Sequence, residues 1–188
     1  MRESPRPELV PAVIEQAKRG DEGAFEAIVR HYDPGLRALA FRLLGDRELM
    51  DDALQEAYVR AFRALPRFRG ESKLSTWLYR IVYNACLDQL EAAKRIATLP
   101  LDQIGERRDL RAGVVELVTE RGDLAAALGA LSHADRGAVL MVDAHGFSYG
   151  DAAAALGVPE GTIASRLNRA RALLRDALQR RTEEVSER

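Results

Sequence analysis

The sequence predicts an all-α chain of two small helical domains joined by a linker, the C-terminal one a helix-turn-helix. Ala, Leu, Arg and Glu recur in long runs, and with only seven prolines and few β-branched clusters in 188 residues the composition favours helix almost throughout. A chain of that length buries either one good core or two small ones, and its apolar residues are spread over both halves. Helical periodicity breaks in "IATLPLDQIGERRDLRAGVVELVTERG" (96–122), where Pro100 and Gly105 intrude and charge density rises. That stretch reads as the linker, with a short helix expected from Leu110 to Glu120. It separates an N-terminal domain over residues 1–95 from a C-terminal one over residues 123–188.

Several function classes are excluded by what the chain lacks. Cys86 is the single cysteine, so no internal disulfide forms and a reducing cytoplasm is expected. It lies near the apolar side of its helix and reads as a small core residue, with redox sensing as the alternative. His31, His133 and His145 are scattered and show no metal-ligand spacing. The N-terminus is charged (Arg2, Glu3, Arg6, Glu8), without the apolar stretch of an export signal, and no segment resembles a membrane span. Phosphate-binding loops, dinucleotide-binding glycines and zinc-protease motifs are missing as well, so neither an enzyme nor a cofactor is expected.

In the N-terminal domain, the helix through "DDALQEAYVRAF" (51–62) places Leu54, Tyr58, Ala61 and, just beyond, Leu65 on one stripe. Asp52, Gln55, Glu56 and Val59 then share the outer face, acidic with an apolar edge. Read alone, that face is a solubilising surface stabilised by local charge pairs. Further on, "FRGESKLSTWLYRIVYNACLDQL" (68–90) opens with turn-forming Arg69, Gly70, Glu71, Ser72 and Lys73. A helix follows whose Leu74, Leu78, Ile81, Val82 and Ala85 can face a core, while Trp77, Arg80 and Asn84 recur at i, i+3 and i+7 on another side. An aromatic, a cation and an amide in one row suit an unpaired base, which needs a stacking surface, hydrogen bonds and a charge to follow its phosphates. Core packing accounts for Trp77 equally well, and Tyr79 and Tyr83 are open in the same way.

The C-terminal domain carries "GFSYGDAAAALGVPEGTIASRLNRARALLRDAL". Ser148 followed by Asp151 predicts a capping box that starts a helix through Leu156; Gly157 permits a left-handed turn, and Pro159 suits the first turn of the next helix. There Ile163, Leu167, Ala170 and Leu174 form a buried stripe, and Thr162, Ser165, Arg166 and Arg169 form a polar, cationic face. A short helix, a tight turn and a second helix with such a face describe a helix-turn-helix whose second helix enters the DNA major groove. Surface arginines on a hairpin that binds nothing are the competing account.

Charge supports two kinds of partner. The net charge is only −1, yet residues 21–62 hold 5 basic and 9 acidic side chains, residues 63–95 hold 7 and 3, residues 96–157 hold 5 and 9, and residues 158–181 hold 6 and 2. Basic blocks can follow phosphates and acidic blocks can meet a basic protein. Solvated helix faces would give the same alternation.

Three segments, taken in order, resemble the bacterial RNA polymerase sigma factors of the extracytoplasmic-function group. "FSYGDAAAALGVPEGTIASRLNRAR" looks like their promoter-reading helix-turn-helix, "DDALQEAYVRAF" like their polymerase-binding helix, and "FRGESKLSTWLYRIVYNACLDQL" like their promoter-melting segment. Together they cover roughly residues 21–178. The resemblance implies that Asp52, Gln55, Glu56 and Phe62 dock on the clamp coiled coil of the largest subunit of core RNA polymerase. It further implies that Ser72, Lys73, Trp77, Arg80, Asn84, Lys94 and Arg95 read and open a −10 element, with Asn84 and the loop holding a flipped non-template base. Thr162, Ser165, Arg166 and Arg169 would read a −35 element of promoter DNA. A cytoplasmic subunit that binds no cofactor and is covered by an anti-sigma factor until a signal arrives follows from the same likeness.

Two departures from the family pattern stand out. "LEAAKR" keeps only Lys94 and Arg95 where a denser basic cluster is usual, and Ala164 stands where Lys or Arg is common. The first implies weaker upstream duplex contact; the second implies either one absent phosphate contact or an unusual −35 sequence preference, and a lost phosphate contact would shift more of the promoter complex onto polymerase docking. Two other classes stay open from sequence: a helix-turn-helix repressor that binds its operator without polymerase, and a helical adaptor that never reads DNA.

Overall fold

The computed structural model describes residues 11–97 and 120–186, and these are helical as expected. Helices α1 (Pro11–Lys18), α2 (Glu22–Leu44), α3 (Arg47–Ala64) and α4 (Leu74–Ala97) build the N-terminal half, with a short 3-10 turn at Leu65–Arg67. The C-terminal half holds α5 (Glu120–Ala130), α6 (His133–Val139) running into a π-helical turn (Leu140–Ala144), α7 (Tyr149–Leu156) and α8 (Glu160–Ser186). Helix α4 runs two residues past the expected boundary, and α5 begins inside the stretch read as linker. The short helix expected at Leu110–Glu120 lies, but for its last residue, outside the described residues. No helix among the described residues is long and apolar enough to cross a membrane.

Local chemistry sets these boundaries. Asp21 caps α2 by accepting from the Ala24 N–H at 2.9 Å, and Asp46 caps α3 by accepting from the Glu48 and Leu49 N–H groups at 2.8 and 3.0 Å. Each carboxylate satisfies N–H groups that a helix start leaves without intrahelical partners, and it sits at the positive end of the helix dipole. The N-terminal core then forms from fully buried Ile28, Leu36, Leu39, Leu43, Leu54, Leu65, Val82 and Cys86 on α2, α3, the 3-10 turn and α4. Cys86 is the core residue expected, and burial pushes its thiol up to about 12. Leu140, Met141, Ile163, Leu167 and Ala170 form the C-terminal core.

The buried residues of the two halves form one continuous cluster, and α4 packs along α7. Among the described residues, Arg136, His145 and Asp151 of the C-terminal half each make polar links across the junction. The buried Arg136 of α6 donates to the Leu43 carbonyl in the last turn of α2 at 2.8 Å, and also to the Gly129 and Leu131 carbonyls at 2.7 and 3.2 Å. A guanidinium beside a helix C-terminus meets carbonyls that lack intrahelical partners and the negative end of the dipole, which offsets part of its desolvation. The Tyr79 hydroxyl and His145 Nδ1 are hydrogen bonded at 3.1 Å, and the Tyr79 ring also packs on Phe147. Asp151 of α7 accepts from Lys73 Nζ at 3.0 Å and Thr76 Oγ1 at 3.3 Å.

Burial, with a smaller contribution from the field of Arg42, lowers the His145 pKa to about 4. Below pH 6.5 the unfolded chain therefore takes up a proton that the folded one refuses, so stability falls with acidification until the pH reaches the folded value. This group alone should remove about 2 kcal/mol between pH 7 and pH 5 in urea unfolding. His145→Leu should flatten that part of the slope; an unchanged slope would show that the imidazole is not held neutral in the fold.

Candidate protein-binding and nucleic-acid interfaces

An acidic groove of about 500 Å³ runs between α3 and α4. Its α3 wall is the expected outer face: Asp52, Gln55, Glu56 and Val59 are exposed, while Leu54, Ala61 and Leu65 are buried and Tyr58 half-buried beneath them. Its α4 wall, Asp88, Gln89, Ala92 and Arg95, was not singled out as a unit from sequence. Asp88, Ala92 and Arg95 recur at i, i+4 and i+7, so helical spacing carried the signal, but nothing local showed that α3 lies opposite. Arg60 crosses the groove, donating from Nε to Glu56 at 2.9 Å and from Nη1 to Asp88 at 2.6 Å. It fixes two carboxylates without burying them. Val59 and Phe62 stay 39% and 38% exposed, and the Phe62 ring stands edge-on to Phe25 at 5.0 Å. The face therefore combines fixed negative charge with a small apolar edge, which suits a basic helix better than small-molecule chemistry.

Helix α4 sorts its residues onto three sides. Leu74, Leu78, Val82, Ala85 and Cys86 enter the N-terminal core, and Arg80 and Asn84 are exposed as expected. Trp77, open between core and surface from sequence, is half-buried: its ring packs on Phe68 with centroids 5.2 Å apart, and it shares the Arg80–Asn84 side by helical spacing. Tyr79 and Tyr83 are buried on a third side, against the C-terminal half. Ser72 is half-buried and Lys73 exposed at the head of the helix; Lys73 is also engaged by Asp151. Lys94 is exposed at the far end, whereas Arg95, grouped with it from sequence, lines the acidic groove.

The helix-turn-helix forms as its caps direct. The Ser148 hydroxyl caps α7 by accepting from the Asp151 N–H at 3.0 Å, and it donates to the Asp151 carboxylate at 2.8 Å, so the carboxylate of the expected capping box meets the hydroxyl of Ser148. Burial raises the Asp151 pKa, but the hydrogen bonds from Ser148 and Lys73 outweigh it and hold the carboxyl below its usual range. Gly157 takes φ 66° at the end of α7, a conformation that a side chain would strain. Pro159 differs slightly from expectation: it precedes α8 rather than entering its first turn, and its carbonyl accepts from the Thr162 N–H at 2.9 Å. Ile163, Leu167 and Ala170 are fully buried and Leu174 half-buried.

On the outer side of α8, Ser165 is exposed, Thr162 and Arg166 are half-exposed, and the Ser165 hydroxyl donates to the Thr162 carbonyl at 2.9 Å. The Arg169 side chain is 61% exposed, yet its Nη2 is held at 2.9 Å by Asp135, whose side chain is only 11% exposed and whose other oxygen accepts from Ser132 at 2.9 Å. Asp135 went unnoticed in the sequence because it lies 34 residues away. Arg171 is committed differently: Nε and Nη2 grip Asp143 in a bidentate pair at 3.0 and 2.7 Å.

Comparison with known proteins agrees with this layout. The Sigma-70 region 2 model matches residues 28–96, and the Sigma-70, region 4 model matches residues 121–174. The chain is 41% identical over 155 residues to the ECF RNA polymerase sigma factor SigM of Mycobacterium tuberculosis, covering 82% of this chain and 77% of that protein. It is 29% identical over 178 residues to the ECF RNA polymerase sigma-E factor of Escherichia coli, covering 89% and 93%. Among solved structures, the sigma factor RpoE in complex with the anti-sigma factor NepR from Bartonella quintana superposes with a TM-score of 0.67 at 28% identity, over 82% of this chain and 96% of that one. CnrH in complex with the cytosolic domain of CnrY gives a TM-score of 0.67 at 26% identity, over 89% and 96%.

The different engagement of the arginines sets apart those that hold the fold from those available to a ligand. Arg171→Ala should lower unfolding stability by about 0.5–1 kcal/mol, a modest figure because the pair is partly exposed to water. Arg166→Ala should stay within about 0.5 kcal/mol of the parent. Denaturant titration of both variants checks the ranking, and its reversal would refute the division.

Proposed function

The chain belongs to the extracytoplasmic-function group of RNA polymerase sigma factors, and from that premise we propose a role for each surface. The sigma factor is a dissociable specificity subunit of the transcribing enzyme, without chemistry of its own, acting in the cytoplasm. The α3–α4 groove receives a basic helix of the polymerase clamp. Asp52 and Glu56 pair with its cations, Gln55 hydrogen-bonds to it, Phe62 with Val59 supplies an apolar anchor, and Asp88 adds a wall that the sequence motif alone did not indicate.

Promoter opening needs a place for a base that has left its stack. The outer row of α4 offers one: half-buried Trp77 is steadied by Phe68 and presents an aromatic edge, Asn84 offers donors and acceptors, and Arg80, Ser72 and Lys73 follow the backbone of the displaced strand. Binding energy at this row, rather than nucleotide hydrolysis, holds the −10 element open. Lys94 contacts phosphates upstream; Arg95, lining the groove, lies nearer the clamp than the duplex. In the C-terminal half, Thr162, Ser165, Arg166 and Arg169 face the major groove of the −35 element, where arginines pair with guanine and hydroxyls reach bases or phosphates. A partner that covers these surfaces, an anti-sigma factor, completes the reading by likeness to the RpoE–NepR assembly.

The observation that carries the reading is the coexistence, on one small domain, of a fixed acidic groove between α3 and α4 and, on another side of α4, a row of half-buried Trp77 with exposed Arg80 and Asn84. A repressor needs no such groove, and an adaptor needs no such row. Run-off transcription with core polymerase tests it: the chain should start RNA at chosen promoters. Asp52→Arg with Glu56→Arg should cut initiation by a factor of about 30 or more, the loss expected when charge pairs at an interface become repulsive. Circular dichroism should show the helices intact, and full initiation by the double variant would overturn the docking assignment.

A further inference from the structure

We propose that Asn168, a residue outside the set assigned above, fixes the base preference of α8 by pairing with an adenine of the −35 element. The inference rests on the promoter-reading role proposed for that helix and names the side chain and the base through which the role becomes specific.

Orientation is the first support. The inner stripe of Ile163, Leu167, Ala170 and Leu174 fixes which way α8 faces. At about 100° per residue, the direction opposite that stripe runs through Ser165 and Ala172 and passes between Asn168 and Arg169, each about 50° to one side of it. Asn168 is exposed, as are Gly161, Ser165 and Ala172 along the same line. Arg166 stands about 110° away from it, half-exposed on the flank beside Tyr83 of α4. A helix in the major groove presents its outermost residues to base edges and its flanks to phosphates. Arg166 is therefore placed for the backbone and Asn168 for a base.

The surroundings of Asn168 keep it free for that contact. Ala164 and Ala172 flank it at i−4 and i+4, and neither has a polar group or the length to cover it. The nearby arginines are tied elsewhere: Arg169 to Asp135 at 2.9 Å, and Arg171 to Asp143 at 3.0 and 2.7 Å. Among the described residues, the Asn168 amide has no hydrogen-bond partner. A short amide also needs the helix to come close. A Cβ at Gly161 would meet nothing within 4 Å, so packing does not require glycine there, and its missing side chain lets the first turn of α8 approach what it faces.

Composition and chemistry point the same way. The 188 residues include two asparagines, Asn84 and Asn168, and both are exposed in helix interiors, so packing accounts for neither. Asparagine is a poorer helix former than the Ala, Arg and Glu common elsewhere on these helices, because its amide competes for backbone hydrogen bonds. Asn84 already stands in the row assigned to an unpaired base. The planar amide of Asn168 offers a donor beside an acceptor, the complement of adenine N7 and its amino group in the major groove. Arg169, across the same outward line, offers paired donors that suit guanine. Together they specify an adenine close to a guanine.

The test uses holoenzyme reconstituted from core polymerase and full-length chain, and selects transcribed DNA from a library randomised upstream of a fixed transcribed segment. Wild type should enrich an upstream element with adenine at one position. Asn168→Ala should lower the preference for that adenine about tenfold, the value of one bidentate base contact, and leave the neighbouring positions as they were. Asn168→Gln, which keeps the amide, should retain adenine, and Asn168→Arg should move the preference to guanine. Arg166→Ala should weaken selection evenly and reduce its salt dependence without changing any one position. Circular dichroism should show parental helicity in all four variants. An adenine preference that survives Asn168→Ala overturns the proposal, as does a loss spread over every position or a base preference that follows Arg166 instead. Those results leave the sigma assignment standing. A wild-type holoenzyme that initiates at no preferred upstream sequence overturns the assignment and the proposal together.

Discussion

Helix α4 has to satisfy three demands with one 3.6-residue period, and the rest of the molecule is arranged around that constraint. One side closes the N-terminal core through Leu78, Val82 and Cys86; a second, with Arg80 and Asn84, stays in water; a third, with Thr76, Tyr79 and Tyr83, is buried against the C-terminal half. An ordinary amphipathic helix needs one apolar stripe. Here a second buried side is tolerable because its hydroxyls have partners: Thr76 finds Asp151 and Tyr79 finds His145. Without them, each buried hydroxyl would cost about 1–3 kcal/mol, enough to open the junction.

The polar links at that junction differ in kind. Arg136 brings a full charge into a buried place and meets only carbonyl oxygens, with its Nε left unpartnered. Such a group costs desolvation energy and returns orientation, tying the last turn of α2 to the α5–α6 turn. Lys73–Asp151 lies nearer the surface, where water weakens it. The contact thus combines two buried links, Arg136 to Leu43 and Tyr79 to His145, with the exposed, screened pair of Lys73 and Asp151.

Local rules made much of the architecture readable. Ser148 with Asp151, Gly157 and the Ile163–Leu167–Ala170 stripe act within a few residues of one another, so caps and period locate both helices of the hairpin. The same holds for the outer face of α3, whose Asp52, Gln55 and Glu56 are exposed because Leu54 and Ala61 are not. What escaped notice was non-local. Asp88 stands opposite Glu56 through Arg60, Asp135 supports Arg169 from another helix, and Arg95 turns toward the groove instead of extending the basic end of α4. Periodicity assigns a residue to a side of its helix and says nothing of which helix lies across from it. The fates of Tyr79 and Tyr83 were undetermined for the same reason.

Segregated charge explains how a chain with a net charge of −1 can serve an acid-seeking protein and a polyanion together. Screening limits an exposed charge to a neighbourhood of about 8–10 Å at physiological salt, so a partner senses the patch and not the total. Arg60 keeps Glu56 and Asp88 fixed within the acidic groove, and Asp135 keeps Arg169 fixed on the cationic helix. In both cases an opposite charge of the chain's own restrains the group without burying it. Restraint lowers the entropy still to be lost when a ligand binds, whereas full neutralisation would remove the attraction itself. A half-satisfied charge at the surface is therefore a reasonable compromise for a subunit that must bind, discriminate and let go.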